Sequence, residues 1–295
     1  MFDVLTSIEN TIGAYSDSVT FFATNAQNNQ TDGYKKLEWS FQTMFTTEMN
    51  HLGQSSHSGI SQSNMQSIPT GVRIVPGGFD MSQGGTRAGG PLNAAIQGHG
   101  FFVLQQDNNS DFLYSRASDW VFDANGTLRD TLGRRVKGYA TNSDGTANTS
   151  GGLTDIAIDF SSTGVTSSSV GIEDGGLIVA NFAERKAALT NGTPVPDAQV
   201  LFQLGTARIP NQEMLQSATG NAFKQTTLSG TVIFGKSGDT GIGTVLGGNI
   251  EESNVEIAEL SIQMQQIQRG FNIVQQSLQV ALKMLTSVTE VVGKA

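Results

Sequence analysis

Apolar residues toward the C-terminal end fall at Ile257, Leu260, Met264, Ile267, Phe271, Val274, Leu278, Ala281, Leu285, Val288 and Val292. The steps alternate between three and four throughout, the spacing of a coiled-coil seam. Ser253-Asn254-Val255-Glu256 just before it has the form of a capping box, whose side chains satisfy the first free amides of a helix. At about 1.5 Å per residue such a helix is roughly 55 Å long. A stripe this narrow on a helix this long needs another long helix beside it. The N-terminal end supplies one: Leu5, Ile8, Ile12, Tyr15, Val19, Phe22 and Ala26 repeat the same steps. Thr6-Ser7-Ile8-Glu9 is a second capping-box match, placed so that it can lie inside the helix. The pattern stops at Asn28-Asn29-Gln30-Thr31-Asp32-Gly33, a run of turn formers in which Gly33 is expected to take a positive φ and end the helix.

The six prolines lie between Pro69 and Pro210. Proline breaks helices, so long helices are confined to the two ends and the middle reads as strands and turns. Residues 41–80 hold a Ser/Gln/His/Gly-rich stretch, including Gly53-Gln54-Ser55-Ser56-His57-Ser58-Gly59, with little periodicity; they read as an extended connector. Beyond them strand signals recur. Gly100-Phe101-Phe102-Val103-Leu104 is a buried strand start, and Asp123-Ala124-Asn125-Gly126-Thr127-Leu128 places an Asn-Gly turn between two strands. Leu177–Ala180, Val200–Leu204 and Thr231–Phe234 are further strands. The expected fold class is α+β: long N- and C-terminal helices pairing as a coiled coil, a central all-β domain and an extended connector. The expected segments are an N-terminal helix in 1–40, the connector in 41–80, the β domain in 81–248 and the C-terminal helix in 249–295.

Composition narrows the function. Only 15% of residues are charged, against a usual ~25%. A surface that is polar but weakly charged lets copies pack closely. The net charge is −9, with no basic cluster, so nucleic acid is not an expected partner. There is no cysteine, which excludes disulfides and thiolate metal sites. No apolar run is long enough to span a membrane, and the first 30 residues lack the pattern of a cleaved signal peptide.

Candidate chemistry is thin. His51, His57 and His99 stand at no metal-ligand spacing and read as surface or turn histidines. Gly241-Ile242-Gly243-Thr244-Val245-Leu246-Gly247 lacks the strand–helix context of a dinucleotide loop, and Asp123-Ala124-Asn125-Gly126 lacks the later ligands of a calcium loop. No nucleophile elbow or phosphate-binding loop is present. The expectation is therefore no enzyme, no cofactor, no metal and no small-molecule substrate. Gly270, in mid-helix, is expected to admit a neighbouring helix at close range.

In order, the pieces resemble the axial proteins of the bacterial flagellum, the rod and hook family. That family's signature Asn-Asn-Ile-Ala-Asn-x-Asn-Thr-x-Gly-Tyr-Lys is met at Asn25, Asn28, Thr31, Gly33, Tyr34 and Lys35, with departures at Thr24, Gln27 and Gln30. Further marks are Ala95–Phe102, Tyr114-Ser115-Arg116-Ala117, Phe122–Leu128, Gly133–Tyr139, Ala180-Asn181-Phe182, Gly248–Val255 and Gln268-Arg269-Gly270-Phe271. The resemblance implies export without a cleaved signal through the flagellar type III apparatus, then helical stacking beneath an assembly cap. The product is a self-built polymer in the basal body, contacting neighbouring rod and hook proteins and the surrounding rings. The terminal helices would line the inner tube. The extra segment within 46–75, closing on the Gly71-Val72-Arg73 step, and the single small β region make the chain most like the distal-rod subunit, a drive shaft spanning the periplasm. The alternatives are an extracellular hook subunit and, from another class, a coiled-coil surface adhesin. A hydrolase is disfavoured by the lack of a nucleophile–base pair. The residues expected to carry assembly are Leu5, Ile8, Ile12, Tyr15, Val19, Phe22, Asn25, Asn28, Gly33, Tyr34, Ile257, Leu260, Met264, Ile267, Phe271, Val274, Leu278, Leu285 and Val288.

Overall fold

The computed structural model describes residues 2–47, 67–107, 110–142, 145–163, 165–192 and 200–292. His51, His57, the stretch 53–59 and most of the segment 46–75 lie outside the described residues. The chain divides into two compact units: Met1–Gln27 with Leu37–Gly77 and Glu256–Ala295, and Asn28–Lys36 with Gly78–Val255.

The first unit is built on two long helices. Helix α1 spans Phe2–Gln27, and the C-terminal helix, the fourth along the chain, spans Ile257–Val292. The two pack against each other. Their hydroxyl residues bond back to the helix itself: Thr11 Oγ1 donates to the Ser7 carbonyl and Ser277 Oγ to the Ile273 carbonyl. Each satisfies a polar side chain inside the turn that carries it. The strands Leu37–Thr47 and Ser67–Phe79 pair as a two-stranded sheet, the last two residues of the second strand falling in the other unit. The described ends of the 41–80 segment are thus extended, and they are also hydrogen-bonded to each other. This ladder lies along α1: the Tyr15 and Phe41 rings are 5.2 Å apart.

Details at the helix ends differ from the sequence expectation. Helix α1 ends at Gln27; Gly33 has the expected positive φ of 66°, but six residues farther on, inside the turn that follows. The C-terminal helix is capped one turn later than Ser253 predicts. The Glu256 carbonyl accepts from Leu260 N at 3.0 Å, which makes Glu256 the capping position, while Ser253 Oγ accepts from Val255 N. Thr6–Glu9 lies inside α1.

The second unit holds a sheet of thirteen strands. Its main path runs through 171–173, 177–179, 200–204, 135–140, 101–105, 112–115, 222–224 and 216–218, each strand antiparallel to its neighbours along the path. Strand Phe101–Gln105 explains its own unbroken apolar run. Phe102 and Leu104 enter one core with Trp120, Leu128, Val136, Ile178 and Leu204; Phe101 and Val103 enter a second with Tyr114, Ala207, Ile209 and Phe223. A strand covered on both faces has no polar side to show. The Asn-Gly hairpin is present: Trp120–Phe122 pairs with Leu128–Asp130, and Asp123 Oδ1 accepts from Asn125 N and Thr127 N. The strand expected at Thr231–Phe234 spans Ile233–Gly235.

The central domain is not all-β. It contains the four-residue helix α2 (Phe160–Thr163) and the ten-residue helix α3 (Phe182–Asn191), so the C-terminal helix is α4. Helix α3 escaped the pattern because it shows little amphipathic periodicity. It is held by tertiary contacts instead: Arg185 pairs with Glu173 at 2.8 Å, and Phe182 packs so closely on Gly171 that a Cβ there would overlap the ring.

Candidate assembly site

The sequence-predicted stripes can be followed residue by residue in the first unit. On α4, Leu260 and Ile267 are buried, and Met264, Phe271, Val274, Leu278 and Leu285 are half-buried. Ile257, in the first turn, is 50% exposed. Val288 belongs to α4, and its side chain lies outside the described residues. On α1, Leu5, Ile8, Ile12, Tyr15 and Phe22 are half-buried and Val19 is exposed. Among the described side chains of α1 the buried ones are Ala14, Ser18 and Asn25, none of them marked by the apolar spacing; Asn25 is marked by the motif alone. Small side chains at 14 and 18 leave the larger neighbours flanking the contact rather than filling it. At Gly270 a Cβ would overlap the Tyr15 ring, so the mid-helix glycine admits α1 of the same chain at close range.

Asn25 closes the C-terminal end of α1. Its amide nitrogen donates to the Leu37 carbonyl and its oxygen accepts from Leu37 N, both at 2.9 Å. The buried carboxamide thus imitates a neighbouring β-strand for the first residue of strand Leu37–Thr47.

In the second unit, segments from the two ends of the sequence meet. Gly33 N donates to the Glu251 carbonyl at 2.8 Å, and Lys36 N donates to Asn254 Oδ1 at 2.7 Å. Asn254 Nδ2 reaches the Asp80 and Ser82 carbonyls. Gly33 is confined twice over: its φ is 66°, and a Cβ would lie 2.5 Å from Ala117 N. Asn28 accepts from Thr31 through its carbonyl and its side chain, and Tyr34 is buried, which pushes its phenol up to about 12. Of the predicted assembly residues, therefore, Asn28, Gly33 and Tyr34 belong to this unit and the others to the first.

At the centre of this meeting point is an ion triad that spacing alone does not reveal. Glu251 is 0% exposed, and Lys35 and Arg116 are each 2% exposed. Lys35 Nζ donates to Glu251 Oε1 at 2.7 Å and to the Ser82 carbonyl at 2.6 Å. Arg116 Nη1 donates to Glu251 Oε2 at 2.9 Å and to the Ile96 carbonyl, and Nη2 donates to the Gly98 carbonyl. Two cations face one anion, and the surplus positive charge is met by three backbone carbonyls. Burial lowers the Lys35 pKa and Arg116 lowers it further, while Glu251 opposes both. A triad out of water is held by its geometry, because desolvation offsets much of the Coulombic gain. It joins residues 35, 82, 96–98, 116 and 251 through one set of buried hydrogen bonds. Lys35, Arg116, Glu251 and Asn254 each stand in a stretch that resembles a family mark, the one signal that could have found them.

Among the described residues no group of His, Asp and Glu is placed to hold a metal ion, and no helix is long and apolar enough to cross a membrane. Residues 95–180 match the family model described as the D1 domain of the flagellar hook proteins FlgE/F/G. The chain is 25% identical over 280 residues to the flagellar basal-body rod protein FlgG of Buchnera aphidicola subsp. Acyrthosiphon pisum (strain APS), covering 95% of each chain. It is 27% identical over 251 residues to FlgG of Bacillus subtilis (strain 168), covering 84% of this chain and 83% of that protein. The flagellar hook protein FlgE of Helicobacter pylori (strain ATCC 700392 / 26695) is 27% identical over 207 residues, which are 68% of this chain but 28% of that one. The D1 model matches residues 95–180 and the rod relatives parallel the chain over most of its length, so the chain is similar to the proteins of the flagellar rod and hook family.

Proposed function

We propose that the chain is the structural subunit of a flagellar distal rod, polymerising helically after export through the type III apparatus. The observation that carries this reading is collinearity. The rod relatives match this chain over most of both lengths, whereas the hook relative carries far more chain than is present here. In this reading α1 and α4 pair as a coiled coil and form, with neighbouring copies, the wall of a tube. The triad at Glu251 keeps the two end segments in register. The partners are further copies, adjoining rod and hook subunits, the surrounding rings, the export apparatus and the assembly cap. The chain is a mechanical element without substrate or cofactor.

Electron microscopy of concentrated protein tests the proposal. Straight, rigid tubes are expected. Discrete particles at every concentration would overturn it, and supercoiled flexible tubes would favour the hook. Far-UV circular dichroism adds a second arm. A terminal helix pair that is completed by neighbours gains helix on polymerisation; equal helix content in monomer and polymer would remove that part of the reading.

A further inference from the structure

An asparagine or aspartate followed by glycine can react with its own backbone. The glycine nitrogen loses its proton and attacks the side-chain carbon Cγ. A C–N bond forms, the Cγ–N bond of asparagine breaks and ammonia leaves with a proton; from aspartate, water leaves instead. Solvent water then opens the cyclic imide at either carbonyl, giving aspartate or isoaspartate. Glycine favours the attack because it carries no Cβ to block it. The chain has two Asn-Gly pairs, Asn125-Gly126 and Asn191-Gly192, and three Asp-Gly pairs, Asp32-Gly33, Asp144-Gly145 and Asp174-Gly175. Asp144 lies outside the described residues. In the other four pairs the glycine has a positive φ, between 66° and 84°, and its N–H is donated. Gly33 donates to the Glu251 carbonyl, Gly126 to Asp123, Gly175 to Val245 and Gly192 to Ala188. A nitrogen held this way must open locally before it can turn on its neighbour's side chain.

The aspartates are engaged through their side chains as well. Asp32 accepts from Arg87 Nη2 at 2.9 Å, and Asp174 Oδ1 accepts from Gly247 N at 3.0 Å. The two asparagines are both exposed, and they differ in what surrounds the glycine. Gly126 is buried, its carbonyl accepts from Ile158 N at 2.9 Å, and a Cβ there would overlap the Ile158 carbonyl. Asp123 Oδ1 holds Asn125 N and Thr127 N on either side of it. Gly192 is exposed at the end of α3, with nothing within 4 Å of its would-be Cβ. Its N–H bonds back into the last turn of the helix, where helices fray. From this contrast we infer that Asn191 is the chain's site of spontaneous deamidation, and that the hairpin closes the chemically equivalent Asn125. The inference goes beyond the proposed function and does not rest on it. Aspartate at 191 adds a negative charge at the C-terminal end of α3, where the helix dipole opposes it. Isoaspartate carries the main chain through Cβ and breaks the last turn. Phe182 on Gly171 and the Arg185–Glu173 pair hold the start of α3, so the loosening is confined to its end.

The test incubates the full-length protein, folded and in urea, at mildly alkaline pH. Mass spectrometry of its peptides reads deamidation at each asparagine, and each folded rate is taken relative to the same site in urea. Folding should slow Asn125 by about a hundredfold or more and Asn191 by only about tenfold. Equal slowing at the two sites overturns the inference, as does stronger slowing at Asn191. An Asn191 that stays intact in the folded protein while reacting in urea overturns it too. Asp123→Ala removes the acceptor of Asn125 N and Thr127 N, and should speed Asn125 by about tenfold in the folded protein while Asn191 keeps its rate. Asp123→Asn, whose side-chain oxygen still accepts, should leave Asn125 protected. An unchanged Asn125 rate in Asp123→Ala would remove the hairpin's part in the inference. Should Asp123→Ala fail to fold, Asn191 would rise to its urea rate as well, and the wild-type comparison and Asp123→Asn decide.

Discussion

Lys35 and Glu251 are 216 residues apart in the chain and 2.7 Å apart in the fold, and both are buried. Their contact ties the segment that follows α1 to the segment that precedes α4, inside one compact unit. Arg116 completes the arrangement from the central sheet.

Removing the anion should be costly. Glu251→Gln leaves Lys35 and Arg116 as buried cations without a counter-charge, and loss of one member of a buried ion pair destabilises by about 3–5 kcal/mol. Urea unfolding should show this. The double variant Glu251→Gln/Lys35→Met should recover part of the loss, because it removes the stranded charge as well. A single-variant loss under about 1 kcal/mol would mean that the triad is not a determinant of stability.

Asn25→Ala should expose a local weakness. It removes the bonds to both Leu37 N–H and C=O, at about 1–3 kcal/mol. Hydrogen exchange at the Leu37 amide should quicken while exchange in the central sheet stays as it was. An unchanged Leu37 rate would show that water replaces the side chain at no cost.

Gly33→Ala meets two penalties. A positive φ costs an L-residue about 1 kcal/mol or more, and the added methyl would press on the backbone at Ala117. A thermal midpoint lowered well beyond the effect of Gly175→Ala is expected. Gly175 also has a positive φ, of 84°, but nothing lies within 4 Å of its would-be Cβ. Equal effects would show that the close approach to Ala117 adds nothing.

Gly270→Ala should destabilise despite alanine's better helix propensity of about 1 kcal/mol, because its methyl enters the Tyr15 ring. Pairing it with Tyr15→Ala should restore stability, a coupling that a double-mutant cycle reads directly. If Gly270→Ala stabilised the polymer, the close-approach role would be lost.

Acid should loosen the second unit through Asp80. Burial alone raises its pKa, but hydrogen bonds from Ser82 and the charges of Lys36 and Lys35 outweigh this and hold it below the usual 3.8. A carboxyl depressed in the folded state contributes stability that is fully present above 3.8 and lost as the pH falls through the folded value. Asp80→Asn should therefore differ from wild type in urea stability at pH 7, and the gap should narrow below 3.8. A gap that widens in acid contradicts the assignment.

The two long helices, the β character of the middle and the Asn-Gly hairpin were legible in the sequence because each depends on local rules: spacing of apolar residues, absence of proline, and turn chemistry within a few residues. Helix α3 was not, since its ten residues carry weak periodicity and gain their stability from Glu173 and Gly171 across the fold. Within the chain the buried position beside Val19 is Ser18, which spacing could not mark because a small hydroxyl residue has no apolar signature. The triad was invisible as a unit. Three charged residues at 35, 116 and 251 have no mutual spacing, and each is stable in the interior only because the others are there. The sequence by itself determined which segments are helices and strands, through preferences settled within a turn or a pleat. Only the tertiary structure decided which faces those elements use, because a face is chosen by what covers it: α1 takes the Leu260–Leu285 side of α4 and leaves Ile262, Ile273, Val280 and Met284 in water.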